Sequence, residues 1–255
     1  MRGTWTGTGP PVVLLHGQPG SGRAWRLVKS ELDGLNVLAP DRPGYDGTPA
    51  EDFAGNAKRL SAVLTDASVG PVVLVGHSWG GGVALQLALD HPDQVAGLCL
   101  IGSIGSPLSW TRLDTVLSWP GLAGVAATIT CCTAVAAPRA FVAATGSVLP
   151  AGERHELRKQ GLRWLRGAVP AVCAEQRFLV RQGPRLAERL GEIRSPALVV
   201  AGRSDRTVTP NAATELARAL PRGRLLMVKG GHLLLQEAPA TVAAAIWRCI
   251  RDVKP

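Results

Sequence analysis

The sequence predicts an α/β protein: a mostly parallel sheet with helices on both faces and one inserted helical subdomain. Three observations point there. Six short apolar runs, rich in β-branched residues, alternate with helical patterns. The runs are apolar at successive positions, as strands buried on both faces are. The alternation breaks once, from about 104 to 191, where no strand pattern occurs and helical stretches follow one another.

Strands are expected at 12–15, 36–39, 71–75, 95–101, 197–201 and 224–228. Helices are expected at 23–32, 52–67, 80–90, 210–220 and 239–249. Strand–helix alternation of this kind builds parallel sheets. The core is then 1–103 plus 192–255, with 104–191 as the insertion. Ten arginines and Lys159 in the insertion stand against Asp114, Glu153, Glu156, Glu175 and Glu188, a balance of +6 that leaves +3 for the rest.

Composition excludes several classes. The 255 residues are 46% hydrophobic and 18% charged, which rules out a disordered chain. The net charge of +9 raises nucleic acid, membrane or an acidic partner. With 23 Arg against 5 Lys, the excess also fits a GC-rich coding sequence. Cys99, Cys131, Cys132, Cys173 and Cys249 include no CxxC pair, which argues against a disulfide framework or a zinc site. The first eleven residues hold no apolar leader core, so a reduced, cytoplasmic protein is expected. The uncharged stretch 120–138 falls short of the roughly 20 strongly apolar residues of a membrane span and is read as a buried helix.

Gly76-His77-Ser78-Trp79-Gly80 fits G-x-S-x-G between an expected strand and an expected helix, the setting of a nucleophile elbow. Glycines permit the sharp turn, and the helix N-terminus favours developing negative charge near Ser78. A serine nucleophile needs a base. His77 lies inside the elbow, its side chain expected to point away. His91 precedes Pro92 as a capping residue, and His155 sits on a solvated helix face. His232 follows a strand and Gly230-Gly231, at the sheet's C-terminal edge where sites in open α/β sheets lie. The orienting acid is Asp205, just after the strand at 197–201. Gly102 and Ser103, after the preceding strand, offer no carboxylate. The order Ser78, Asp205, His232 is that of α/β-hydrolases.

Along nearly its whole length the chain resembles the α/β-hydrolase superfamily. His16-Gly17-Gln18-Pro19-Gly20 resembles the family's HG-x-P-G loop. Asp41-Arg42-Pro43-Gly44-Tyr45 resembles its D-x-x-G-x segment, and His91-Pro92-Asp93-Gln94-Val95 its link from elbow helix to next strand. The resemblance implies an oxyanion hole from the backbone N–H groups of Trp79 and Gln18, each such donor worth about 10²–10³ in turnover. It also implies that the insertion is a mobile cap. One departure stands out. The family's opening β-hairpin is shortened here: only about ten residues precede Val12, so the first strand is expected missing and the second reduced to a stub at 4–8.

A serine nucleophile argues against dehalogenase or epoxide hydrolase chemistry, which uses aspartate there. The expected reaction is hydrolysis of a carboxylic ester or lactone with an apolar acyl part, with no metal or organic cofactor. Trp79, Trp110, Trp119, Phe141, Trp164 and Phe178 are candidates to line the substrate pocket. Gly-x-Ser-Trp-Gly is also similar to proline iminopeptidases, but HGQPG replaces their HGGPG and the insertion is poor in acids. A basic, amphipathic stretch at 154–166 supports an alternative: a type II thioesterase-like or acyl-transferring enzyme taking its substrate from an acidic carrier protein. A third class is a non-hydrolytic, ligand-binding use of the fold. No nucleic-acid motif accompanies the charge.

Overall fold

In the computed structural model, which describes residues 1, 3–119 and 121–253, six strands form one sheet. In chain order the elements are β1 (Pro11–Leu15), α1 (Arg26–Lys29), β2 (Asn36–Leu38), α2 (Phe53–Asp66), β3 (Val72–His77), α3 (Trp79–Asp90) and β4 (Val95–Ile101). Five helices follow: α4 (Arg112–Leu117), α5 (Leu122–Ala136), α6 (Pro138–Ala144), α7 (Ala151–Gly167) and α8 (Val169–Glu188). The chain then returns to β5 (Ala197–Gly202), α9 (Pro210–Ala219), β6 (Gly223–Val228), α10 (Leu234–Glu237) and α11 (Pro239–Val253). The sheet order is β2-β1-β3-β4-β5-β6 and every strand pair is parallel.

Strand alternation explains the continuous apolar runs. Val13, Leu15, Leu74, Leu98 and Leu100 face α2, α3 and α9 in one buried cluster. Val12, Leu14, Val73, Val75 and Cys99 face α1 and α11 in another. Successive side chains point to opposite faces, so a strand covered on both faces has no polar position. α2 starts where Asp52 caps it, accepting from the Gly55 N–H at 2.8 Å. Its buried residues Phe53, Ala57, Leu60 and Leu64 follow helical spacing.

Three local expectations change. The stub at 4–8 is a single antiparallel bridge, Thr6 to Val37, against edge strand β2. The helix expected at 23–32 contracts to one 3-10 turn, Gly22–Trp25, and the single turn of α1. Trp25, Val28 and Leu32 are still buried, but the chain turns at Gly34 (φ 84°) to enter β2. The uncharged helix α5 is only half-buried. Its small residues Ala123, Ala127, Cys131 and Ala134 pack inward, while Leu122, Val125 and Ile129 face outward. Small side chains let α5 approach α7 closely, as Gly161 against Val135 and Ala134 shows. Pro120, at the start of that stretch, lies outside the described residues. Among the described residues no helix is long and apolar enough to cross a membrane.

Candidate active site

β3 ends at His77 and α3 begins at Trp79, so Ser78 occupies the whole turn. It holds φ 52° and ψ −121°, a region costing on the order of 1–3 kcal/mol for a non-glycine residue. The surroundings enforce it. Ser78 N–H donates to the Ile101 carbonyl at 3.0 Å, and the Ser78 carbonyl accepts from Gly81 N–H at 3.0 Å. A Cβ at Gly76 would stand 2.5 Å from Gly81 Cα, and one at Gly81 would collide with Ser103 Oγ. These glycines are required by close approach.

The Ser78 hydroxyl lies 3.1 Å from His232 Nε2, and His232 Nδ1 lies 2.8 Å from Asp205 Oδ2. Asp205 Oδ1 accepts from the N–H groups of Thr207 (2.8 Å) and Val208 (2.9 Å). Its second oxygen is left for His232, which therefore carries its proton on Nδ1 and presents a bare Nε2 to the hydroxyl. All three side chains are buried. Neither Arg203 nor Arg206 takes Asp205 as an ion-pair partner among the described residues. Gly102, at φ 47°, lies under the pair: a Cβ there would be 3.2 Å from both Asp205 Oδ2 and His232 Nδ1. This hydroxyl–imidazole–carboxylate chain can pass a proton from the serine to the histidine.

Residues that sequence reasoning missed hold the histidine loop. The Thr145 carbonyl, in the insertion, accepts from His232 N–H (3.2 Å) and Arg206 N–H (3.3 Å). Ser147 Oγ accepts from Leu233 N–H at 2.9 Å. Glu237 accepts from Gly231 N–H at 2.8 Å and from Val148 N–H at 3.1 Å. Segment 145–148 is thus stitched to the loops that carry Asp205 and His232. Local pattern could not reveal these contacts, because they join distant segments.

His77 corrects another expectation. Its ring does not point away; it lies 5.0 Å from the His232 ring, and its Nε2–H donates to the His232 carbonyl at 3.0 Å. A buried N–H needs a partner, and it finds one in this carbonyl. Burial, then the neighbouring His232, pull the His77 pKa down from 6.5 to about 3.

The His16–Gly17 loop is held from below. Arg42 is wholly buried and donates through Nε to the His16 carbonyl (2.9 Å) and through Nη2 to the Gly17 carbonyl (3.0 Å). Arg42 N–H also donates to His16 Nε2 at 3.1 Å, so His16 donates through Nδ1 to the Gly17 carbonyl at 2.8 Å. Burial and Arg42 keep the His16 pKa well below 6.5. The Arg42 charge is met by buried Glu175 of α8, which also accepts from Tyr45 Oη–H at 2.7 Å. Burial nonetheless raises the Glu175 pKa, with Arg42 acting against it. The backbone N–H groups of Gln18 and Trp79 donate to no atom among the described residues.

A cavity of about 380 Å³ opens over Ser78 and His232. Of the six aromatic candidates, Trp79, Phe141 and Trp164 line it. Trp79 is largely committed elsewhere, stacked on Phe53 (4.5 Å) and on the Arg42 guanidinium (4.4 Å). Trp110 packs against Gly183 of α8, Phe178 packs onto the sheet-side core, and Trp119 is 59% exposed; none of the three is in the lining. Aliphatic residues Ile104, Leu157 and Leu179 take their place. Asp114, Glu153 and Glu156 also reach the cavity, though the insertion is acid-poor. Glu153 is paired with Arg26, Asp114 accepts from Thr111 and Gln176, and Glu156 lies 3.9 Å from both Arg23 and Lys159. Among the described residues no group of three or more His, Cys, Asp or Glu could hold a metal ion.

Comparison with known proteins agrees with this architecture. A family model described as the alpha/beta hydrolase fold matches residues 10–239. Lipase LipV of Mycobacterium tuberculosis is 41% identical over 98 residues, 37% of this chain and 38% of that protein. A pimeloyl-[acyl-carrier protein] methyl ester esterase of Aromatoleum aromaticum is 32% identical over 254 residues, 95% of this chain and 98% of that one. Among solved structures, a bromoperoxidase from Bacillus anthracis superposes with a TM-score of 0.76 at 22% identity, over 98% of this chain and 95% of that one, a likeness of fold. With 230 of its residues matched end to end by one family model, the chain belongs to the alpha/beta hydrolase fold family.

Proposed function

We propose that this ester-acting hydrolase cleaves a carboxylic ester or lactone with an apolar acyl part, through Ser78, His232 and Asp205. The observation that carries the reading is the Ser78–His232–Asp205 hydrogen-bonded chain, with links of 3.1 and 2.8 Å, at the floor of the cavity. His232 Nε2 takes the Ser78 proton as Oγ attacks the carbonyl carbon. The tetrahedral oxyanion settles on the N–H groups of Trp79 and Gln18. His232 then returns the proton to the leaving oxygen, and an acyl-enzyme remains. Water, deprotonated by the same nitrogen, releases the acid. Asp205 keeps the proton on Nδ1 and stabilises the imidazolium.

The insertion serves as the cap. Phe141, Leu157 and Trp164 roof the cavity, and Ile104 and Leu179 add apolar wall. A site of about 380 Å³ suits a small organic ester. The five free cysteines fit a reducing, cytoplasmic setting. The relatives named as lipase and esterase agree with ester cleavage. The decisive experiment is fluorophosphonate labelling with turnover of p-nitrophenyl esters. Ser78→Ala is expected to lose both. Labelling at another residue, or retained turnover, overturns the assignment.

A second reading has its own support. Arg158, Lys159, Arg163 and Arg166 are exposed on α7, and one relative of full length acts on an acyl-carrier-protein ester by its name. In that reading the acyl group arrives on an acidic carrier, and the basic face of α7 receives it.

A further inference from the structure

We propose that Glu175, on cap helix α8, is a positioning residue for the oxyanion donors, acting through Arg42 on the Gly17–Gln18 peptide. The proposal rests on the reading that Gln18 and Trp79 supply those donors.

The argument starts from peptide planarity. A trans peptide sets its C=O and N–H antiparallel in one rigid plane. The Gly17 carbonyl and the Gln18 N–H belong to the same plane, and the cis bond lies one residue later, at Gln18-Pro19. Whatever holds the Gly17 oxygen therefore aims the Gln18 N–H. Two donors hold it: Arg42 Nη2 at 3.0 Å and His16 Nδ1 at 2.8 Å. With the carbonyl drawn toward buried Arg42, the N–H is left on the opposite, cavity side, where Gly17 and Gln18 form part of the wall.

Arg42 can do this only while its charge is met. It is 0% exposed, and its carboxylate partner is Glu175, also 0% exposed. A buried cation without a partner would be drawn toward water. Helix α8 makes two further ties to the same donor residues. Gln18 Nε2 donates to the Val172 carbonyl at 2.8 Å, and Trp79 Nε1 donates to the Glu175 carbonyl at 3.4 Å. One turn of a cap helix thus grips both oxyanion residues by their side chains and one of them through its peptide plane. Seating of the cap and assembly of the oxyanion site become one event.

The test uses the full chain carrying Glu175→Gln, which keeps side-chain shape and removes the charge. Well below the melting temperature, kcat is expected to fall at least about tenfold, short of the roughly 10²–10³ that follows outright loss of a donor. KM should stay within about twofold, since ground-state binding does not use these donors. The rate of fluorophosphonate inactivation should fall in parallel, because that reaction also builds negative oxygen at the same N–H groups. The double variant Arg42→Met with Glu175→Leu removes both charges and leaves no bare ion. It should fold, yet remain slow, because the Gly17 oxygen has lost its Arg42 donor. A lowered melting temperature with unchanged kcat and inactivation rate in Glu175→Gln overturns the proposal, as does wild-type kcat in the double variant. Labelling of wild type distinguishes the two readings. If Ser78 is labelled and the Glu175 variants are unaffected, only the positioning role fails. If Ser78 is not labelled at all, both fail.

Discussion

His77 gives the protein a specific sensitivity to acid. Its ring is buried, its Nε2–H is spent on the His232 carbonyl, and its pKa falls from 6.5 to about 3. Burial is the main cause; His232 lowers the value further, while the bond to the His232 carbonyl and the Asp205 charge act the other way. The unfolded chain binds a proton at this position below about pH 6.5, and the folded chain does not until about pH 3. Between those values the unfolded state holds more protons, so stability is lost as pH falls. By pH 4 the loss from this one histidine is on the order of 3 kcal/mol, a large share of a typical 5–15 kcal/mol. His16, also buried and neutral, pushes in the same direction. The assay is urea unfolding at pH 7 and pH 4 for wild type and His77→Gln. Glutamine retains an N–H for the His232 carbonyl and does not titrate. Wild type should lose roughly 3 kcal/mol more than the variant across that interval. Equal losses would rule out His77 as the source of the acid sensitivity, because every other titrating group is common to both proteins.

Asp205→Asn should keep the loop folded through the N–H groups of Thr207 and Val208 while favouring the wrong His232 tautomer; kcat on activated esters is expected to drop by about 10⁴. Trp164 and Gln160 line both the cavity over Ser78 and a second one of about 580 Å³ beside Tyr45 and Arg163. Trp164→Ala should join the two, raising kcat/KM for long acyl chains relative to short ones and costing about 3–5 kcal/mol of stability, read by urea unfolding. Charge reversal at Arg158 and Arg163 should weaken turnover of carrier-bound acyl groups and leave small esters unaffected; equal effects on both substrates would remove the carrier reading.

Much of the site could be read in the sequence because it is local. An elbow needs glycines within a few residues of its serine, and Gly76, Gly80 and Gly81 advertise it. Asp205 and His232 each follow an apolar strand, so the sheet's edge brings them together although 27 residues separate them. What escaped depends on contacts between segments far apart. Arg42 and Glu175 are 133 positions apart, and neither has a neighbour that hints at the other. Thr145 accepts through its backbone carbonyl and Glu237 through its carboxylate, both from backbone N–H groups that carry no residue signature. Aromatic content was a poor guide to the pocket: Trp110 and Phe178 spend their area on core packing and Trp119 faces solvent, while Ile104, Leu157 and Leu179 line the wall. α5 departs from the expected buried helix for a related reason: an uncharged helix need not be buried all round.

The distribution of charge in the insertion follows from its contacts with the core. Glu153 and Glu175 turn inward to Arg26 and Arg42, and Glu156 leans toward Arg23. These carboxylates serve the core's arginines and leave little negative charge on the outer surface. Arg158, Lys159, Arg163 and Arg166 remain on the outside of α7, so that face is more basic than the balance of +6 implies. The neighbouring face of α5 carries no charge and exposes Leu122, Val125 and Ile129. Sequence order alone would blend the two into one basic subdomain. Folding separates them into an acidic lining tied to the core, a basic helix face and an apolar one. The basic face lies on α7, the helix whose Leu157 and Trp164 also line the cavity. α7 thus joins a basic outer face to part of the cavity wall, so charge reversal at Arg158 and Arg163 changes that face without touching Ser78, His232 or Asp205.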